Sequence, residues 1–240
     1  MSPSDPSTEV LTVTTYPPTA VTEPSPSSAS RPSTGTGRST GPVTGSGHRG
    51  TAALVAGGGV QVHVGSPKLK IEIYDEPLCP PCAQFAHKFG PAIDKAVDAG
   101  TLTVTYRTLT FLDDRSFSGS YSTRAGAALL CVARSAGSQP GLFQDFYAEL
   151  FTAEVQPEED SERDLTDDEL AELAERVGAP DVAVGCIRAG SQMAAAARAD
   201  AAGEAALSKA GASGTPAVVH DGTIVDHDDP QWLTGLLAGG

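Results

Sequence analysis

The sequence predicts an α/β fold: a mixed sheet made of a βαβ half and a ββα half, with a helical domain inserted between them. Three observations predict it. Strand, long helix and strand follow one another over residues 68–111. Helical patterning then runs unbroken over about residues 118–210. Finally, two short strands joined by an Asp-Gly turn lead into a short terminal helix.

Taken in order, VQVHV (60–64) and KLKIEIY (68–74) alternate like half-buried strands on either side of a Gly-Ser-Pro turn. After Cys79 and Cys82, the residues Phe85, Phe89, Ile93, Ala96 and Val97 recur at helical spacing, and Gly100 ends that helix. Pro91 lies inside it and is expected to kink it. TLTVTYRTLTF (101–111) is the next strand. A strand–helix–strand unit makes its two strands parallel. In the insert, one helix carries Ala127, Leu130 and Cys131, and a second covers 142–151. A third opens with a capping box from Thr166 to Glu169, stapled by Leu165 and Leu170, and stops at Gly178-Ala179-Pro180. A fourth holds Cys186, and a fifth is the Ala-rich stretch 191–210. TPAVV and TIVD flank the turn His220-Asp221-Gly222, and 229–237 is the closing helix.

About two-thirds of the first 50 residues are Ser, Thr, Pro or Gly, too polar to offset the entropy of ordering them. Residues 1–58 are therefore expected to be a disordered tail, and 59–240 the folded domain. A net charge of −14 excludes nucleic-acid partners, since phosphate binding needs a basic stripe. The acidic run from Glu154 to Glu172 reads as a solvated face, with an acidic docking surface as the alternative. No basic segment followed by an apolar one marks a signal peptide. The best apolar stretch, 51–64, is too short and glycine-rich to span a bilayer. On these features alone the chain reads as soluble and not exported.

Cysteines carry the functional signal. There are four: Cys79, Cys82, Cys131 and Cys186. A cysteine just before a helix has backbone N–H groups and the positive end of the helix dipole aimed at its sulfur, which favours the reactive thiolate. Cys82 lies one turn on, close enough to close a disulfide. Near a βαβ pattern this pair is a thioredoxin-like redox motif. A zinc site would need a second close Cys or His pair, and none exists. A purely structural Cys79–Cys82 bridge is disfavoured because so short a loop restricts the unfolded chain little. Cys131 and Cys186 fall on separate helices about 55 residues apart, where a bridge would contribute about 4 kcal/mol. Two independent buried thiols are the alternative.

With LCPPC, YSTRAGAALLC (121–131) and GTPAVV in this order, the sequence resembles the DsbA-like disulfide oxidoreductases of the thioredoxin superfamily. The middle stretch is similar to actinobacterial members from the cell envelope. The resemblance implies a thioredoxin-like fold with Cys79 as the attacking thiolate and Cys82 as the resolving thiol. It further implies Pro216 as a cis proline that, with Thr215, holds substrate, and a structural bridge between Cys131 and Cys186. Two departures stand out. The buried acid that many thioredoxin-like proteins keep six residues before the first cysteine is here Ile73, and Asp75 and Glu76 are expected in a solvated loop. Between the cysteines lie Pro80 and Pro81, which have no N–H to donate, and no histidine. These two prolines are expected to tune the pair toward a milder oxidant.

The implied activity is an oxidase that introduces disulfides into reduced or unfolded exported proteins. Reoxidation would come from a quinone-linked membrane oxidase of the DsbB or VKOR type. A reductase or isomerase is the alternative within the same chemistry. A non-catalytic redox-sensing module is the alternative outside it. No metal, flavin or nucleotide signature appears, so no cofactor is expected, and the chain is expected to be a monomer. A lasting bridge needs an oxidising compartment, which places the protein in the cell envelope behind an unrecognised or truncated leader. Cytoplasmic location is the alternative.

Overall fold

A computed structural model of the chain describes residues 47–239. Its strands are β1 (Thr51–Leu54), β2 (Val60–His63), β3 (Leu69–Asp75), β4 (Leu102–Thr108), β5 (Ala217–His220) and β6 (Thr223–Val225). The helices are α1 (Pro80–Asp98), α2 (Tyr121–Ala136), α3 (Leu142–Leu150), α4 (Asp167–Arg176), α5 (Asp181–Arg188), α6 (Met193–Ala210) and α7 (Trp232–Gly239). The sheet order is β1-β2-β4-β3-β5-β6. Only β3 and β4 are parallel, and every other pairing is antiparallel. The sheet is therefore mixed, and five helices stand between its βαβ and ββα halves.

One boundary needs correction. Most of the expected tail, residues 1–46, lies outside the described residues, but 51–58 is folded. Strand β1 pairs with β2 from Thr51↔His63 to Leu54↔Val60. The turn between them depends on Gly58, which has φ +76° and approaches α6 so closely that a Cβ would meet the Ala199 Cβ at 2.3 Å. Only Ala52 of the four β1 residues is buried, so no alternating pattern announces the strand.

Helix α1 starts with two prolines in its first turn, where a missing N–H leaves nothing unsatisfied. It then runs through Pro91 to Asp98 without a break. Its buried stripe (Cys82, Phe85, Phe89, Ile93, Val97) packs in one core with Ile71 and Ile73 of β3. Side chains alternate along a strand, so Tyr74 points the other way and joins Leu207 and Val219 in a smaller cluster. The same alternation turns Asp75, the last residue of β3, back toward the face of Ile71 and Ile73.

In the insert, α4 carries the complete Thr166–Glu169 capping box. Cys131 of α2 and Cys186 of α5 form a disulfide, with their Cα atoms 5.8 Å apart.

Candidate active site

Cys79 occupies the N-cap position of α1. The Cys82 amide is the first in the helix able to reach its sulfur, because Pro80 and Pro81 have no N–H, and it donates to Cys79 Sγ at 3.3 Å. Both prolines are exposed. The two sulfurs are unbridged and 2.7 Å apart. Cys79 is drawn down to about 7, chiefly by the hydrogen bond from the Cys82 thiol and against the effect of burial. Cys82 is pushed the opposite way, first by burial and then by its neighbour Cys79. The pair is therefore asymmetric, with one thiol ready to ionise near neutrality and one held protonated.

Downstream, β5 pairs with β3 through Tyr74↔Ala217, which carries the two residues before it to the same end of the sheet as Cys79. The Thr215–Pro216 peptide bond is cis, and the Thr215 carbonyl accepts from the Cys79 thiol at 3.6 Å. Thus four residues predicted from sequence, Cys79, Cys82, Thr215 and Pro216, meet at one place.

The two acids are not where the sequence reading put them. Asp75 and Glu76 are 1 % and 0 % exposed, not solvated. Burial pushes Asp75 up to about 7, against the hydrogen bonds it receives, one of them from the Tyr147 hydroxyl at 3.1 Å. Glu76 is pushed up to about 8, again chiefly by burial, while its Oε2 accepts from the Leu78 amide at 2.6 Å. One oxygen of each carboxyl has no partner among the described residues. Ile73, where a buried acid was expected, lies two residues before Asp75 on the same strand face. The charge of Asp75 acts on both cysteine sulfurs.

Two further contacts had no signal in the sequence. Gln156, between α3 and α4, donates its side-chain amide to the carbonyls of Pro77 (3.0 Å) and Cys79 (3.1 Å), pinning the cysteine loop to the insert. His227 lies 3.1 Å from the Pro216 carbonyl through Nε2, and its ring meets Phe85 edge-on at 5.3 Å.

Residues 59–238 match a protein-family model described as Thioredoxin. The chain belongs to the thioredoxin family. Within that family, several solved structures are similar to it. MdbA of Corynebacterium diphtheriae, described as a thiol-disulfide oxidoreductase, is 26 % identical with a TM-score of 0.70, covering 81 % of this chain and 96 % of that one. Oxidised DsbA of Mycobacterium tuberculosis is 26 % identical with a TM-score of 0.62, over 79 % and 91 %. Reduced DsbG of the same organism is 26 % identical at 0.62, over 83 % and 88 %. A stretch of the serine/threonine-protein kinase PknE of Mycobacterium tuberculosis is 42 % identical over 167 residues. That match takes in 70 % of this chain but only 29 % of the kinase.

Proposed function

We propose that the protein is a thiol–disulfide oxidoreductase working through Cys79 and Cys82, with oxidation of substrate thiols as its direction. One observation carries this reading: the asymmetric pair at the start of α1, with the Thr215–Pro216 loop against Cys79. With the pair as a disulfide, a substrate thiolate attacks Cys79 Sγ. The Sγ–Sγ bond breaks, a mixed disulfide forms, and Cys82 leaves as a thiolate. Its burial makes that charge costly, and Asp75, still partly protonated near pH 7, is the nearby store from which a proton reaches it. A second substrate thiolate then attacks the substrate sulfur and releases Cys79. The substrate loses two electrons and the pair gains them.

Thr215 and Pro216 would hold the substrate chain beside Cys79, an edge of backbone against which an extended segment can lie. Pro80 and Pro81 leave the Cys79 thiolate one amide donor in that first turn, consistent with a pair that oxidises moderately. Partners of this reading are unfolded, reduced proteins and a membrane-bound, quinone-linked oxidase of the DsbB or VKOR type. The Cys131–Cys186 bridge favours an oxidising, extracytoplasmic setting. Among the described residues no helix is long and apolar enough to cross a membrane.

A second reading is favoured by the kinase relative. There the same fold would act as a redox-reporting module, linked through the Ser/Thr/Pro/Gly-rich segment to another part of a longer protein. Two assays separate the readings: oxidation of a reduced two-cysteine peptide by the disulfide form, and reduction of insulin by the dithiol form. Peptide oxidation lost in Cys79→Ala is the outcome expected. Pure wild type inert in both assays would overturn the enzyme reading in favour of the module.

A further inference from the structure

Between α1 and α3, above Ile73 of β3 and Tyr106 of β4, lies a cavity of about 390 Å³. It remains open because the facing helices carry small side chains there, Ala86 and Gly90 on α1 and Ala148 on α3. A Cβ on Gly90 would meet nothing within 4 Å. The inner walls are aromatic: Phe85, Tyr106, Tyr147 and Phe151. A space of this size and lining is within the range of small-molecule sites.

One polar feature gives it chemistry. Asp94, at one end, accepts from Gln144 through Oδ1 at 2.9 Å. Its Oδ2 is 3.8 Å from His48 Nε2, beyond hydrogen-bond reach, and so is open to another donor. Tyr106, on β4, is only 6 % exposed and forms part of the cavity wall. His48 is held by Asp98 at 2.8 Å, which leaves the Asp94 carboxylate as the acceptor at this end of the cavity.

We propose that this cavity binds a small molecule of about two fused aromatic rings carrying one hydroxyl, which donates to Asp94 Oδ2. The site also adjoins the redox pair. Tyr147 forms its wall and at the same time hydrogen-bonds Asp75. An occupant keeps water from that wall, so it raises the pH at which Asp75 ionises and with it the pH dependence of exchange. This second step rests on the oxidoreductase reading, whereas the binding does not.

The test uses 2-naphthol as the probe and measures binding first in Cys79→Ala, which cannot exchange. Saturable one-to-one binding better than about 1 mM is expected, weakened about tenfold or more by Ala148→Trp at the exposed mouth. Thr234→Trp, in the separate groove between α1 and α7, should leave it unchanged. Naphthalene, lacking the hydroxyl, should bind about tenfold more weakly. Absence of saturation, or sensitivity to Thr234→Trp in place of Ala148→Trp, overturns the site. Equal binding of naphthalene overturns the hydrogen-bonding role. In active wild type, 2-naphthol should shift the pH profile of peptide oxidation upward, and Tyr147→Phe should abolish the shift while binding persists. Binding without a shift in wild type overturns the coupling to the redox pair.

Discussion

The two cysteine pairs of this chain are built from the same side chain and sit in opposite surroundings, which under the proposed function put them to opposite uses. Cys131 and Cys186 are 55 residues apart, on different helices, and bridged. Closing so long a loop removes much freedom from the unfolded chain, so that bridge acts mainly on stability. Cys79 and Cys82 enclose only two prolines and constrain almost nothing. Their environment works on reactivity: a helix start and a single amide on one sulfur, burial on the other, and two buried carboxyls beneath. In the proposed function, loop length separates a staple from a reagent, and local electrostatics decide what the reagent does.

The comparison breaks most visibly under substitution. Cys79→Ala should reduce peptide oxidation to the protein-free rate while leaving the denaturation midpoint almost unmoved. Replacing Cys131 and Cys186 together with Ala should do the reverse. We expect a stability loss of about 4 kcal/mol by denaturant titration, with peptide oxidation at 25 °C retained. A double variant that kept its stability but lost exchange would invert the assignment of the two pairs.

A smaller effect sharpens the electrostatic half. Asp75 and Glu76 have folded values of about 7 and about 8, well above those of ordinary carboxylic acids. Between the ordinary range and these values the folded state holds protons that the unfolded chain has released. Their contribution to stability is therefore complete in acid, below about pH 4, and is lost as pH rises through about 7 and 8. The denaturant midpoint should fall from pH 5 to pH 9 in wild type, and less steeply in Asp75→Asn. The same variant should slow exchange near neutrality, having no proton to give to Cys82.

What the sequence disclosed and what it hid follow from one physical distinction. Long, strongly periodic elements were legible, and so was the Cys79–Cys82 pair, whose chemistry is local to a few residues. Thr215, Pro216 and the Cys131–Cys186 bridge were reached through the family resemblance, because their contacts span 136 and 55 residues. Strand β1 was not legible, since a single buried Ala52 makes no pattern. Asp75 was misread for a subtler reason: β3 extends one residue past Tyr74, and strand alternation turns that residue into the core. Continuing the alternation by one step would have found it. Gln156 and His227 reach the site through contacts separated by 77 and 11 residues, set by packing between elements, which no short window contains.

The smallest effect concerns the insert alone. Thr166→Ala removes the cap of α4 and should cost about 1 kcal/mol by denaturant titration. Exchange should be unchanged, since Thr166 touches neither cysteine loop nor cis-proline loop. A drop in activity comparable to that of Cys79→Ala would show that the insert governs reactivity as well as stability.

The most direct test of the central claim, that Cys79 alone is poised as the nucleophile, is alkylation of the fully reduced protein with iodoacetamide across pH, mapped by mass spectrometry. The account predicts modification at Cys79 with a midpoint near pH 7 and Cys82 untouched throughout. Modification of Cys82 before Cys79, or no reaction at either below about pH 9, would contradict it.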